Sequence, residues 1–309
     1  MMQFGAQVSC YRIDWDDIRT VVETMEAGRW SSVWFADHFL PPPGRPEEEH
    51  LTAYEGYTIT AAVAGFTERL RLGHLVLGNT YRNPALVAKM AATIDQISHG
   101  RFTLAIGAAW FKREHEAYGW TFPEMRERSD RLQEACELIR ALFVGDGPVD
   151  FDGRYYKLDR APLSPGCFQK PLPILIGGTG EKRTLRTLAL HGDVFNLDGW
   201  AGGPMSVEYY QHKLDVLKRH CDKVGRDFGE IKRTILMPTM VTDDESAAAA
   251  FLANRRLGAG TLAGPKNYVI DCIGKFVEAG VDEIMFGGIP ADDLEGYQRF
   301  DAEVLAAFD

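Results

Sequence analysis

Residues 173–184 read PILIGGTGEKRT, a run in which apolar residues lead into glycines and then into a basic segment. The apolar residues predict a buried strand, and the segment from Glu181 onward favours a helix. Adjacent glycines between them allow positive φ angles and a close approach of another group to the backbone. A helix after such a turn presents unpaired N–H groups and a positive dipole end to an anion. The stretch is therefore consistent both with a phosphate-binding turn and with an ordinary βα turn.

The same strand–turn–helix pattern recurs along the chain. Eight predicted strands begin near residues 3, 32, 70, 102, 174, 193, 231 and 281, and each is followed by a predicted helix. Strict alternation with buried strands predicts a parallel sheet. Eight units in 309 residues favour a closed (β/α)8 TIM barrel with loop insertions, formed as one domain over residues 1–309. An open Rossmann-like sheet is the alternative, but the first βα turn, SCYRIDW at 9–15, lacks the nucleotide fingerprint.

Composition limits the classes of function. Hydrophobic residues make up 45% of the chain and charged residues 25%, which are globular values. A net charge of −10 argues against a nucleic-acid surface. The five cysteines are scattered and form no C-x-x-C, which suits a reducing compartment. With neither a signal-peptide pattern nor an apolar run of about 18 residues, the sequence predicts a cytoplasmic protein without a membrane span.

In a parallel barrel the chemistry lies at the carboxyl ends of the strands. Asp37 and His38 follow the second predicted strand there, and Trp110 follows the fourth. His38 suits proton transfer or a hydrogen bond to a cofactor, although a structural histidine bonded to a loop carbonyl is the alternative. Asp37 could orient the His38 ring or cap the loop. The small residues of Gly107–Ala109 would let a flat ring lie against the backbone, with Trp110 as an aromatic wall.

Other kinds of active site receive little support. The eight histidines form no H-x-H or H-E-x-x-H pattern, so no metal site is predicted, and His115 is expected on a solvated helical turn. There is no G-x-S-x-G elbow and no pair of strand-end acids as a glycosidase would need. By elimination, a phosphate-binding turn, a small-residue wall, a histidine and aromatic residues favour a redox site for a bulky phosphorylated cofactor.

Longer motifs carry a family resemblance. They are WFADH at 34–38, YRNPALVAKMAATIDQISHGRFTLAIGAAW at 81–110, E-x-x-x-x-G at 114–119, FPEMRERSDRLQE at 122–134, GRYYKL at 153–158 and PLPILIGGTGEKRTLRTLALHGDVFNL at 171–197. With these motifs the chain resembles the bacterial luciferase-like monooxygenase superfamily, and within it the branch that uses the deazaflavin coenzyme F420.

The resemblance implies a fold, an activity and an assembly. The fold is a (β/α)8 barrel with a large insertion after the seventh strand or nearby, and the assembly is a homodimer. The activity is that of an F420-dependent oxidoreductase, with hydride transfer between the deazaflavin C5 and a small organic substrate. An FMN-dependent monooxygenase that activates oxygen is one alternative. A non-catalytic flavin-binding relative is the other.

The resemblance also implies site residues. His38 is similar to the residue that touches the deazaflavin and assists the hydride or proton step, and Trp110 is the second residue expected to bear on the chemistry. Residues 76–79 match the strand where relatives often hold a non-proline cis peptide against the ring, and residues 177–180 match the loop that holds the cofactor phosphate. The implied cofactor-binding residues are Asp37, His38, Val76, Leu77, Gly78, Asn79, Gly107, Ala108, Ala109, Gly177, Gly178, Thr179 and Gly180.

Two departures from the family pattern stand at the end of the fourth strand. Many relatives have glycine where this chain has Ala109, and the added methyl group could narrow the site. Some sugar-phosphate dehydrogenases of the branch carry a glutamate where Trp110 stands. This departure weakens any claim that the chain shares their substrate or their acid catalyst.

Overall fold

The computed structural model describes residues 2–42, 45–201, 203–254 and 262–309. Within these ranges, parallel strands close into an eight-membered ring in the order β1, β2, β3, β5, β8, β9, β10 and β12. The predicted (β/α)8 barrel is thereby confirmed. The strands are β1 (Gln3–Gln7), β2 (Ser32–Phe35), β3 (Arg71–His74), β4 (Leu77–Gly78), β5 (Phe102–Gly107), β6 (Val149–Asp152), β7 (Lys157–Ala161), β8 (Ile174–Gly177), β9 (Val194–Asp198), β10 (Lys232–Val241), β11 (Leu262–Gly264) and β12 (Glu283–Gly287).

Helices cover the outside of the ring. In α1 the residues that face the strands, Ile18, Val21, Val22 and Met25, recur at helical spacing and are buried. No helix in the described residues is both long and apolar enough to cross a membrane. The helices are α1 (Trp15–Ala27), α2 (Gly56–Ala64), α3 (Pro84–Ile97), α4 (Lys112–Ala117), α5 (Met125–Val144), α6 (Thr184–His191), α7 (Val207–Val224), α8 (Glu245–Asn254), α9 (Lys266–Glu278) and α10 (Leu294–Glu303).

The strands are buried on both faces, so they separate two apolar cores. In β5, Leu104 and Ile106 belong to the large core between strands and helices, whereas Ala105 belongs to a smaller cluster. That cluster takes single residues from successive strands of the ring, as expected for the barrel interior. Its buried members are Trp34, Leu75, Ala105, Leu175, Val194, Leu236 and Met285.

The third strand of the ring is interrupted, which the sequence did not predict. The apolar run 70–77 predicts one continuous strand, but β3 ends at His74 and β4 begins at Leu77. The peptide bond between Leu75 and Val76 in the interruption is cis, and neither residue is proline. Hydrophobic periodicity continues through this segment without a break, so the pattern gave no sign of it. The interruption lies beside the segment 76–79 where the family resemblance placed such a bond.

Two insertions extend the barrel. The predicted hairpin around Asp152 is confirmed as the antiparallel pair β6 and β7. Its turn is held by the Glu134 carboxylate, which accepts backbone N–H groups from Arg154, Tyr155 and Tyr156 at 3.0, 2.6 and 2.7 Å. After β10, the seventh strand of the ring, α8, β11 and α9 stand where a simple unit has one helix. The end of the predicted helix 244–257 lies outside the described residues beyond Asn254.

Candidate active site

A buried carboxylate organises the carboxyl ends of the second, third and fourth strands of the ring. Glu114, on α4, is 0% exposed. Its side chain accepts the backbone N–H groups of Phe39 and Leu40 at 2.5 and 3.0 Å, and the Tyr81 hydroxyl also donates to it. Its remaining contact is with His38 Nδ1, at 3.0 Å. Burial alone raises the pKa of Glu114, but the His38 and Tyr81 hydrogen bonds and the His38 charge outweigh burial and hold that pKa below its ordinary value.

His38 is oriented by this carboxylate. Because a carboxylate only accepts hydrogen bonds, Nδ1 carries the hydrogen that Glu114 receives. In the part of the chain that the structure describes, Nε2 has no hydrogen-bond partner, and the side chain is 14% exposed. The ring lies 5.3 Å from Trp110 and 5.6 Å from Phe111 between centroids. The side-chain partner of His38 is therefore a carboxylate rather than a loop carbonyl.

Asp37 points to a different partner. Its carboxylate forms two hydrogen bonds with the Arg82 guanidinium, at 2.8 and 2.9 Å, and accepts the Gly78 N–H at 3.3 Å. Arg82 also pairs with Glu55. The expectation that Asp37 orients the His38 ring is corrected here, since Glu114 does so. Asp37 instead ties the end of β2 to β4.

Val76 fills the space between two neighbouring strand ends. A Cβ atom placed on Gly107 would lie 2.9 Å from Val76 Cγ2, and one on Gly177 would lie 2.7 and 2.8 Å from its two methyl carbons. Such distances are too short for carbon atoms in contact. Positions 107 and 177 therefore need glycine. The structure thus brings together Val76, Gly107 and Gly177, three of the residues predicted to bind the cofactor.

The other residues predicted to bind the cofactor in segments 76–79 and 107–109 lie in different environments. Leu77 is fully buried in the large core, and its side chain lies on the helix side of the strand. Asn79 is 2% exposed, donates to the Tyr156 hydroxyl at 3.3 Å, and has no partner for its side-chain oxygen in the described ranges. Ala109 adopts φ +63° and its carbonyl accepts from Arg128. Ala108, between Gly107 and Ala109, is partly buried against the core.

The turn at 177–180 has the backbone of an anion cradle. Gly178 adopts φ +107°, as the adjacent glycines predict. Within the described residues, the N–H groups of Gly178, Thr179 and Gly180 donate to no protein acceptor. Helix α6 begins at Thr184 rather than at the predicted Glu181, because residues 181–183 continue the turn. Thr179 also lines a cavity of about 180 Å³ with Asp198 and Tyr209.

A chain of hydrogen bonds crosses the mouth of the barrel. The Asp198 carboxylate accepts the Trp200 N–H at 2.8 Å, and the Trp200 indole donates to Gln7 Oε1 at 2.9 Å. Gln7 Nε2 donates to the carbonyl of Leu75, in the cis peptide, at 3.1 Å. Burial raises the pKa of Asp198. The chain links β9 and β1 to the interrupted third strand.

Sequence reasoning missed several of these residues. Glu114 was noticed only as the first residue of the E-x-x-x-x-G motif, and no pattern connected it with His38, which is 76 positions away. Arg82 and Tyr81 lie in a motif that signalled the family but no role. The interpretation of His115 was wrong, because it is buried between the Thr80 hydroxyl at 2.7 Å and the Phe111 carbonyl at 2.9 Å. The one available signal for the His38–Glu114 contact was that a histidine and an acid each follow the carboxyl end of a barrel strand.

A family model described as luciferase-like monooxygenase matches residues 2–258. The chain belongs to this family. Among the curated relatives, a protein of Amycolatopsis mediterranei strain U-32 named F420-dependent glucose-6-phosphate dehydrogenase is 32% identical over 237 residues, covering 76% of this chain and 68% of that one. A protein of Kineococcus radiotolerans with the same name is 34% identical over 218 residues, covering 70% and 61%. This luciferase-like chain thus spans about two thirds of the length of these relatives.

Solved structures share the luciferase-like fold. An F420-dependent secondary alcohol dehydrogenase in complex with an F420–acetone adduct has a TM-score of 0.81 at 20% identity, with 100% of this chain and 99% of that chain covered. The coenzyme F420-dependent tetrahydromethanopterin reductase of Methanopyrus kandleri has a TM-score of 0.79 at 18% identity, with the same coverage. At these identities the likeness concerns the fold.

Packing around Val76 yields a testable prediction for this luciferase-like barrel. We expect Gly177→Ala to lower the free energy of unfolding by roughly 1–3 kcal/mol, because the new methyl group meets Val76. In a double-mutant cycle with Val76→Ala, the pair should cost less than the sum of the single changes. Chemical denaturation measures all four proteins.

Gly274→Ala on α9 is the matched control, since an added Cβ there has nothing within 4 Å. It should leave stability unchanged or slightly raised. A Gly177→Ala protein as stable as the parent, or additive costs in the cycle, would contradict the packing described for Val76.

Proposed function

We propose that this chain is an F420-dependent oxidoreductase that moves a hydride between the deazaflavin C5 and a small organic substrate. The observation that carries the proposal is the His38–Glu114 pair, 3.0 Å apart, with Nε2 of His38 left without a partner among the described residues. The curated relatives named for F420 support the choice of cofactor.

The residues present fit such a cofactor. The N–H groups of Gly178, Thr179 and Gly180, beside the start of α6, would hold its phosphate. Val76 and Gly107 would form the wall against the ring, and the unpaired side-chain oxygen of Asn79 would accept a ring N–H group. When bound, the deazaflavin supplies two-electron hydride chemistry, since it lacks the N5 nitrogen of a flavin.

The chain itself would supply the proton and the orientation. His38 Nε2 would hold or deliver a proton at the reacting oxygen of the substrate. Glu114 would keep the ring in one orientation and one tautomer through Nδ1. Trp110, with ring centroid 5.3 Å from that of His38, would border the reacting group.

Two alternatives remain within the family. An FMN-dependent monooxygenase would use the same turn and wall, and the names of the curated relatives favour F420 over it. A non-catalytic flavin-binding relative would have no need of a buried glutamate that orients a histidine at the mouth. The His38–Glu114 pair therefore favours an enzyme.

The choice of cofactor is tested by equilibrium binding of F420 and FMN to the same preparation. We expect F420 to bind more tightly than FMN. Gly178→Val should weaken F420 binding roughly tenfold or more, because a side chain at φ +107° distorts the turn that presents the N–H groups. Fluorescence titration of each cofactor, with the parent protein and with the Gly178→Val variant, gives the dissociation constants.

Gly225→Val is the matched control, because Gly225 also has a positive φ of +73° but caps α7 away from the turn. It should cost stability and leave F420 affinity unchanged. Tighter binding of FMN than of F420 would reject the F420 assignment, and unchanged F420 affinity in Gly178→Val would make residues 177–180 an ordinary βα turn.

The roles of His38 and Glu114 are separated by kinetics. We expect His38→Ala to lower kcat by about 10²- to 10³-fold while the dissociation constant of F420 changes little, because the proton carrier is lost. Glu114→Gln should lower kcat less than His38→Ala does. It should also change the dependence of kcat on pH, since the neutral amide no longer stabilises a positive charge on the His38 imidazole. Turnover is followed by the absorbance of the deazaflavin. The substrate is the compound that reacts fastest with the parent enzyme among a set of uncharged carbonyl compounds.

Glu116→Gln is the control for Glu114→Gln. Glu116 lies on the same helix, but its side chain is 53% exposed and pairs with Lys112. Unchanged turnover in His38→Ala would remove its catalytic role. A Glu114→Gln enzyme with the parental pH profile would reduce Glu114 to a structural support of the loop.

We also propose that the chain works as a homodimer in the cytoplasm. Leu86 and Ile97 on α3 are 51% and 44% exposed, and all five cysteines are free. Light scattering should give the mass of two chains, and Leu86→Glu with Ile97→Glu should shift it toward one chain. Val144→Glu, at an equally exposed apolar position, should not. The mass of a single chain for the unaltered protein would contradict the dimer.

A further inference from the structure

We infer that the substrate is an uncharged molecule with a flat aromatic or conjugated group that packs on Trp110, rather than a phosphorylated sugar. The inference rests on the proposed function and adds the substrate class to it. Its support comes from the exposure of Trp110, from the rings on the opposite side of the mouth, and from the distribution of charge in the surrounding loops.

Trp110 is an exposed ring at a strand end. It is 59% exposed, although it follows β5 directly and lies beside His38. One face of the indole stacks on Phe111, with centroids 4.8 Å apart and planes within 7°. Phe111 and His38 are its only ring neighbours in the described residues. The opposite face is therefore available for stacking with a flat group held beside the His38 ring.

Aromatic rings also lie on the far side of the mouth. A Cβ atom on Gly287, at the end of β12, would meet the Trp200 ring at 3.1 Å. One on the adjacent Gly288 would meet the Phe251 ring at 3.0 Å. Aromatic rings thus cover the strand end that faces the site from the other half of the barrel, and an apolar substrate would be enclosed between them and Trp110.

The loops of that half carry no positive charge in the described ranges. The described residues that follow β9, β10 and β12 before the next helix, together with α8, include neither lysine nor arginine. They do include acidic residues: Asp243, Asp244, Glu245, Asp292 and Asp293. Arg255 and Arg256 lie outside the described residues. A phosphate dianion held there would meet carboxylates and no described cation, which is unfavourable.

Two arginines in the other half are already paired with carboxylates. Arg82 is held by Asp37 and Glu55, and Arg113 forms two hydrogen bonds with Glu49 at 2.7 and 2.8 Å. The turn at 177–180 is assigned to the cofactor phosphate. A second phosphate, carried by the substrate, would therefore compete with carboxylates for these two arginines.

In the reducing direction, the bound deazaflavin would supply a hydride, that is, two electrons and one hydrogen, and would itself become oxidised. The carbonyl carbon of the substrate would gain the C–H bond as the C=O π electrons move to the oxygen. His38 Nε2 would give that oxygen a proton, so that the substrate becomes an alcohol.

The test is calorimetric binding to the protein loaded with oxidised F420. The ligands are acetophenone and cinnamaldehyde as flat neutral compounds, cyclohexyl methyl ketone as a non-planar one, and glucose 6-phosphate as the anionic one. We expect saturable binding of at least one flat compound, weaker binding of the cyclohexyl ketone and none of the sugar phosphate. Trp110→Ala should weaken the flat ligand roughly tenfold, and Trp110→Phe by less.

Phe168→Ala is the control, because Phe168 is 52% exposed and packs near Gly100, at the start of β5. It should leave the affinity unchanged. Equal affinity in Trp110→Ala, or no saturable binding of either flat compound, would overturn the inference. So would binding of glucose 6-phosphate, above all if Arg255→Ala with Arg256→Ala abolished it.

The F420 dissociation constant of every variant is measured in parallel. If F420 binds normally and Trp110 has no effect on the flat ligands, the inference on the substrate fails and the proposed function stands. If F420 does not bind to the parent protein, the proposed function fails on its own evidence.

Discussion

The burial of an ionised Glu114 is the constraint on which the candidate site depends. A carboxylate with no exposure is costly unless hydrogen bonds and positive charge surround it. The groups that satisfy it come from two loops, since His38, Phe39 and Leu40 follow β2 and Tyr81 follows β4. One charge thereby fixes both loops against α4. Because the carboxylate takes Nδ1 of His38, the other ring nitrogen is left without a partner in the described residues.

A second ion network stabilises the same region from the side. Arg82 is nearly buried and is held between Asp37 and Glu55, while its guanidinium lies 5.3 Å from the centre of the Tyr57 ring. Asp37 also binds the Gly78 N–H and so connects β2 to the interrupted strand. The neighbouring residues Asp37 and His38 therefore have opposite tasks. One is fully engaged in structure, and the other is held with a nitrogen available for chemistry.

The sequence predicted the fold well because its signal is periodic and local. Alternating strands and helices, and a positive φ at Gly178, follow from residue types that act over a few positions. The interruption at Leu75 was not predictable from periodicity, since it changes the backbone and leaves the apolar pattern intact. The partner of His38 was not predictable either, because a hydrogen bond across 76 positions depends on packing. The prediction for His115 was wrong because a short polar segment suggests exposure to solvent. Aromatic rings enclose the His115 side chain, and the centroid of the Phe122 ring lies 4.6 Å from that of His115.

The barrel mouth is divided between two kinds of surface. On the side of β5 and β8, glycines, unpaired N–H groups and Val76 leave room for a phosphate and a flat ring. On the side of β9, β10 and β12, the described loop residues include aromatic rings and acidic side chains but no lysine or arginine. His38 lies where both surfaces meet. A change on the second side would leave the His38–Glu114 pair and the turn at 177–180 in place, so similarity to relatives informs the cofactor more than the substrate.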